Sequence, residues 1–163
     1  MTRLRTASIT YEGGNRFVAS TGSGRTIIYG NEVPRGELSP VETLCVSLAA
    51  CSAMDVISIA LKKRQDITRY EIQVQANQRD EYPQIITWAE VTHVLEGPVV
   101  DEAAIRRAIE LSATKYCPVN AMLSAGDTEV HHGYRIRNTG ATPFEAAGEV
   151  VVTGPFRRPD VIG

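Results

Sequence analysis

The spacing of hydrophobic positions changes along the chain, and each change marks an element. Residues 7–29 hold three short runs rich in β-branched and aromatic side chains: Ala7-Ser8-Ile9-Thr10-Tyr11, Arg16-Phe17-Val18-Ala19-Ser20 and Arg25-Thr26-Ile27-Ile28-Tyr29. Glu12-Gly13-Gly14-Asn15 and Gly22-Ser23-Gly24 separate them. Such runs broken by glycine predict a β-meander, and a loop follows over 30–38. A helix then opens at Ser39 as N-cap, with Pro40 at its first position and Glu42 completing a Ser-x-x-Glu capping box. Neither Gly nor Pro interrupts the chain from Val41 to Arg64, so the helix should run about 37 Å.

Leu44 to Leu61 carries one charge, Asp55. By length alone that run fits a membrane span. Its Ala, Ser and Cys content, the mid-run carboxylate and the strand signals on both sides favour a buried central helix of a soluble domain. Tyr70 to Asn77 alternates with period two, as a strand with one wet face does. Ile86 to Leu95 should pair with it antiparallel. Asp101 to about Thr114 has helical amphipathicity, Cys117-Pro118 opens a second short helical piece over 119–123, and Thr128 to Arg137 ends as a strand. From Asn138 the composition becomes linker-like, with one further strand expected over 149–153. The expected organisation is one α+β domain over 1–137 and a docked C-terminal extension over 138–163.

Charge narrows the function. The 163 residues hold 17 basic and 19 acidic side chains, a net charge of -2, which argues against nucleic acid because phosphate binding needs a concentrated basic face. No apolar leader follows Met1, so the cytoplasm is the expected location. Three cysteines, Cys45, Cys51 and Cys117, form neither a disulfide scaffold nor a CxxC metal motif. No metal, cofactor or membrane partner is expected.

Cys45 and Cys51 are rotated about 240° apart on the helix and face different sides, whereas Cys51 and Asp55 share a face. A buried small hydrophobe is the plain reading of a helical Cys. Cys117, at a helix start, should feel a field that favours the thiolate. His131 and His132 point to opposite faces of a strand and read as surface or interface residues, and His93 reads as structural.

Two segments carry a resemblance. Ser39-Pro40-Val41-Glu42-Thr43-Leu44, Ala49-Ala50-Cys51 and Met54-Asp55-Val56 resemble the central-helix motif of the OsmC/Ohr family of osmotically induced and organic hydroperoxide resistance proteins. Glu110-Leu111-Ser112 with Lys115-Tyr116-Cys117-Pro118-Val119-Asn120-Ala121-Met122-Leu123 is similar to that family's second-cysteine motif. The resemblance covers about residues 7–137. It implies an α+β fold, an N-terminal meander, a long central helix and an intertwined homodimer with active sites at the subunit interface. It implies a peroxidase for organic hydroperoxides, with Cys51 as peroxidatic thiol and Cys117 as resolving thiol, re-reduced by a small-molecule or protein dithiol. In the hydroperoxide-resistance branch an Arg and a Glu hold the thiolate. Arg16 is the first candidate here and Arg25 the second. Glu42 is the nearby carboxylate, although Val41 stands at the family's Glu position and Glu42 is rotated about 100° from it. Two alternatives use the same fold: a ligand-binding or interaction protein with structural thiols, and a thiol redox sensor.

Overall fold

The computed structural model describes residues 3–32 and 36–155. By contacts the chain divides into two compact units, Met1–Leu44 and Cys45–Gly163. The expected extension therefore has its last eight residues, 156–163, outside the described part.

The first unit is the expected meander. Strands β1 (Ala7–Gly13), β2 (Arg16–Thr21) and β3 (Thr26–Tyr29) pair antiparallel in sequence order. Gly13 and Gly14 turn β1 into β2 with φ of 106° and 59°, values that strain any residue with a Cβ. Helix α1 (Pro40–Lys62) begins with the expected box. The Glu42 amide donates to Ser39 Oγ at 3.1 Å, and the Ser39 amide donates to Glu42 Oε2 at 2.8 Å. Two otherwise orphaned amides of the first turn are thereby satisfied.

In the second unit, β4 (Arg69–Gln78), β5 (Ile86–Gly97), β6 (Glu129–Asn138) and β7 (Phe144–Thr153) form one sheet in that order. β4 pairs antiparallel with β5, as the alternation predicts. β5 and β6 run parallel, and a parallel pair needs a long crossover. Helix α2 (Glu102–Leu111), a π-helical turn (Ser112–Tyr116) and helix α3 (Pro118–Ser124) supply it. β7 pairs antiparallel with β6 and starts five residues before the expected 149–153 strand.

The core of this unit lies between α2, the far half of α1 and the sheet. It joins Val56, Ala60, Ile105, Ala108 and Ile109 to Leu95, Tyr134 and Ile136. On α1 the buried positions are Leu48, Ser52, Val56 and Ala60, a spacing of four that makes one stripe. The expectation of a helix buried all round needs correction. Val46, Met54 and Leu61 are 59, 72 and 58% exposed. By length and composition α1 could cross a membrane, yet its buried stripe packs into a mixed core.

Candidate active site: a dithiol beside two buried polar clusters

Cys51 and Asp55 are one turn apart on α1 and share a face, as their spacing requires. Cys117 arrives from the crossover as the N-cap of α3, extended at φ -74° and ψ 103°. Pro118 at the first helical position fixes that entry. The two sulfurs and an Asp55 carboxylate oxygen all lie within 4.8 Å of one another. Cys117 is buried, whereas Cys51 and Asp55 are half-buried.

The electrostatics of Cys117 differ from the sequence expectation. Its thiol is pushed up to about 12, first by burial and then by a hydrogen bond to Cys51, against the opposing pull of the Asn120 amide. That amide donates to Sγ at 3.3 Å. A seven-residue helix offers too little to offset the cost of a charge taken out of water. With both thiols reduced, Cys117 keeps its proton.

A polar chain runs from Asp55 into the interior. Ser112 Oγ donates to Asp55 Oδ2 at 3.1 Å. Ser52 Oγ lies 3.4 Å from Ser112 Oγ and 3.3 Å from His93 Nε2. Tyr70 Oη lies 2.7 Å from His93 Nδ1. Donor accounting assigns one direction to every link. Ser112 has spent its proton on Asp55, so Ser52 donates to Ser112. His93 Nε2–H then donates to Ser52, and the Tyr70 hydroxyl donates to the bare Nδ1. The assignment requires a neutral imidazole, and burial lowers His93 to about 3. Burial likewise raises Tyr70 above the ordinary phenol range, so it keeps the proton it donates.

A second cluster sits behind Cys117. Asn120 Nδ2 donates to the Ala113 carbonyl at 2.8 Å and to Thr153 Oγ1 at 3.1 Å. Its Oδ1 accepts from Thr153 Oγ1 at 3.2 Å and from His132 Nε2 at 2.9 Å. The amide has both protons and both lone pairs placed. His132 is buried within the chain's own fold, correcting its reading as a surface or interface residue, and its Nδ1 has no partner among the described residues. Burial lowers it to about 4. His131, on the opposite face, does lie near solvent, between Glu129 and Glu149.

The other two expected site residues belong to the first unit. Arg16 Nη1 pairs with buried Glu37 at 2.8 Å and Nε with Glu12 at 3.0 Å. Glu42 is exposed and caps α1, and its carboxyl is held below its usual range by the Ser39 amide and hydroxyl. The carboxylates that meet Arg16 are thus Glu12 and the buried Glu37, and sequence reasoning passed over Glu37 inside a loop. Arg25 lies exposed in the β2–β3 turn. Cys45 is half-buried on α1.

The dithiol geometry and the order of elements invite comparison with known proteins. A sequence model for the family described as OsmC-like protein matches residues 33–132. This chain belongs to the OsmC-like family. Protein YhfA of Escherichia coli K12 is 32% identical over 130 residues, which cover 80% of this chain and 96% of YhfA. A hypothetical protein from Aquifex aeolicus has a crystal structure similar to this OsmC-like fold at a TM-score of 0.75, with 29% identity over 83% of this chain and 98% of that one. An organic hydroperoxide resistance protein from Elizabethkingia anophelis shares the fold at a TM-score of 0.59 and 14% identity, over 85% of this chain and 99% of that one.

Proposed function

We propose that this OsmC-like protein is a thiol-dependent peroxidase that reduces organic hydroperoxides through Cys51 and Cys117. The observation that carries the reading is the approach of the two sulfurs to within 4.8 Å, close to the separation from which a disulfide can form. The burial and protonation of Cys117 divide the roles. Cys117 holds its proton, so Cys51 is the nucleophile. Its thiolate attacks the distal oxygen of ROOH, the O–O bond breaks, and the alkoxide takes a proton and leaves as ROH. Cys51 is then a sulfenic acid. The Cys117 sulfur, giving up its proton, attacks the Cys51 sulfur, water leaves and a disulfide forms. A small-molecule or protein dithiol supplies the two electrons that restore both thiols. Buried Cys117 suits the second role, because it reacts with a neighbour and not with a substrate.

The family's Arg and Glu roles remain part of the proposal for Arg16 and Glu42, as do a cytoplasmic location and a domain of 1–137 with a 138–163 extension. A homodimer is also proposed, and the bare apolar side chains Val46, Met54 and Leu61 on α1 support it, since a patch of that kind marks an interaction face.

The test is consumption of an organic hydroperoxide by the purified protein with excess dithiol. Cys51→Ser is expected to abolish turnover. Cys117→Ser, reduced and then freed of dithiol before peroxide is added, should consume one equivalent and stop at a sulfenic acid that a dimedone probe captures. Retained turnover in Cys51→Ser would remove the reading. Arg16→Ala and Glu42→Gln are read as kcat/KM in the same assay, and sedimentation measures the chain number.

A further inference from the structure

The two sulfurs lie beside a third donor, the Asp55 carboxylate, that the peroxidase cycle does not use. We propose that the reduced Cys51–Asp55–Cys117 cluster is a binding site for a soft divalent cation such as Zn2+, with three protein ligands and a fourth position open.

Donor chemistry comes first. Two thiols and a carboxylate are ligand types that zinc accepts, and three protein ligands with one vacancy is the pattern of zinc sites that stay open to exchange. Distance comes next. With Zn–S near ~2.3 Å and Zn–O near ~2.1 Å, ligand atoms around a tetrahedral ion stand roughly 3.5–3.8 Å apart. The three atoms here lie within 4.8 Å of one another, so inward shifts of about 1 Å or less complete the site. Side-chain rotation alone supplies that much.

The scaffold is also suited. Cys51 and Asp55 project from successive turns of a 23-residue helix, and Cys117 is fixed by its place before Pro118. The outer shell is present for two of the three ligands. Ser112 Oγ donates to Asp55 Oδ2 at 3.1 Å and leaves the carboxylate with further lone pairs. The Asn120 amide donates to Cys117 Sγ at 3.3 Å, as it would to a metal-bound thiolate. Such partners orient ligands and strengthen metal sites. Cys117 is buried, whereas Cys51 and Asp55 keep part of their surface in contact with solvent. Two thiolates and a carboxylate around a dication carry one net negative charge, so a neutral water is a suitable fourth ligand. Metal and peroxide would then compete for the same sulfurs.

The proposal needs only the cluster geometry, so its failure and that of the peroxidase reading are separate results. The experiment is titration of the fully reduced protein, without oxygen, with Co2+ as a spectroscopic stand-in and then Zn2+. One equivalent per chain should bind, with tetrahedral visible bands and sulfur-to-cobalt charge-transfer absorption, and Zn2+ should displace it. Asp55→Asn should lower affinity at least tenfold, and Cys117→Ser should remove most of the charge-transfer intensity. Cys45→Ser, on another face of α1, should leave both unchanged. Circular dichroism confirms that each variant is folded. Octahedral bands only, binding well below one equivalent, unaltered affinity in Asp55→Asn, or loss of the signal in Cys45→Ser would each overturn the proposal.

Discussion

The polar clusters behind the two cysteines are built on opposite plans. The Asp55 chain is open. It runs through Ser112, Ser52 and His93 to Tyr70, its hydrogen bonds all point one way, and both ends are only half-buried. The Asn120 cluster is closed. It has no direction, every member is buried, and it leaves His132 Nδ1 without a partner among the described residues. An open chain lets water replace a lost member, whereas a closed cluster does not. The plans fit the roles proposed for the thiols. Cys51 must meet solvent-borne substrate, and Cys117 must be held still and protonated until a neighbouring sulfur becomes electrophilic.

The largest expected effect breaks the closed cluster. Asn120→Ala strands the Ala113 carbonyl, Thr153 and the His132 Nε2–H at once. Each buried unpaired group costs about 1–3 kcal/mol, and partial relaxation brings the total to about 3 kcal/mol. Thermal unfolding should then fall by about 10 °C for a domain of this size. A loss below about 1 kcal/mol would mean that water reaches the cluster.

Acid tests both clusters together. His93 and His132 are held at about 3 and about 4 by burial, against an ordinary value near 6.5. Between those limits the unfolded chain binds protons that the folded chain refuses, so stability is present above about 6.5 and lost as pH falls. Each histidine contributes about 1.4 kcal/mol per pH unit through that window. Urea midpoints measured from pH 7 to 5 should drop accordingly. In His132→Gln the slope should shrink by about half, and an unchanged slope would place His132 in contact with water.

The open chain should yield more gently. Tyr70→Phe removes the outermost donor and leaves His93 Nδ1 near half-exposed surface, at a cost of about 1 kcal/mol. Urea denaturation measures it. A cost matching that of Asn120→Ala would erase the distinction between the two plans.

How much of this could be read from sequence depends on how local the cause is. The capping box at Ser39 and Glu42 is written in four residues and folds as written. The alternation of Tyr70 to Asn77 gives β4 and its antiparallel pairing with β5. The Cys51–Asp55 face follows from helical spacing. The parallel β5–β6 pair does not, because period two is blind to strand direction. Nor does the Asp55 chain, whose members come from α1, β4, β5 and the π-helical turn and meet only through tertiary packing. One trace was visible: Ser52 is the polar member of the stripe Leu48, Val56 and Ala60. Thr153 was hidden for another reason. The C-terminal stretch reads as a linker with one strand, yet β7 carries that side chain to the carboxamide of Asn120, the residue whose backbone amide donates to Cys117.

The smallest effect provides the control for parity. His131 and His132 are neighbours in sequence, so β6 turns one toward the Asn120 cluster and the other toward solvent. Burial opposes the charge on His131, but its hydrogen bonds to Glu149 and Glu129 outweigh that cost and its pKa is raised. The sign is opposite to that of its neighbour. Its contribution is complete below about 6.5 and is lost as pH rises through the raised value. Because the ring is only partly buried, His131→Gln should cost less than about 1 kcal/mol, as exposed ion pairs do. The cost should be seen at pH 6 and vanish by pH 9, measured as the difference in urea midpoint from the parent protein. A cost that instead persists unchanged at pH 9 would mean that His131 acts by packing against Trp88, 5.9 Å away between ring centres, and not through its two carboxylates.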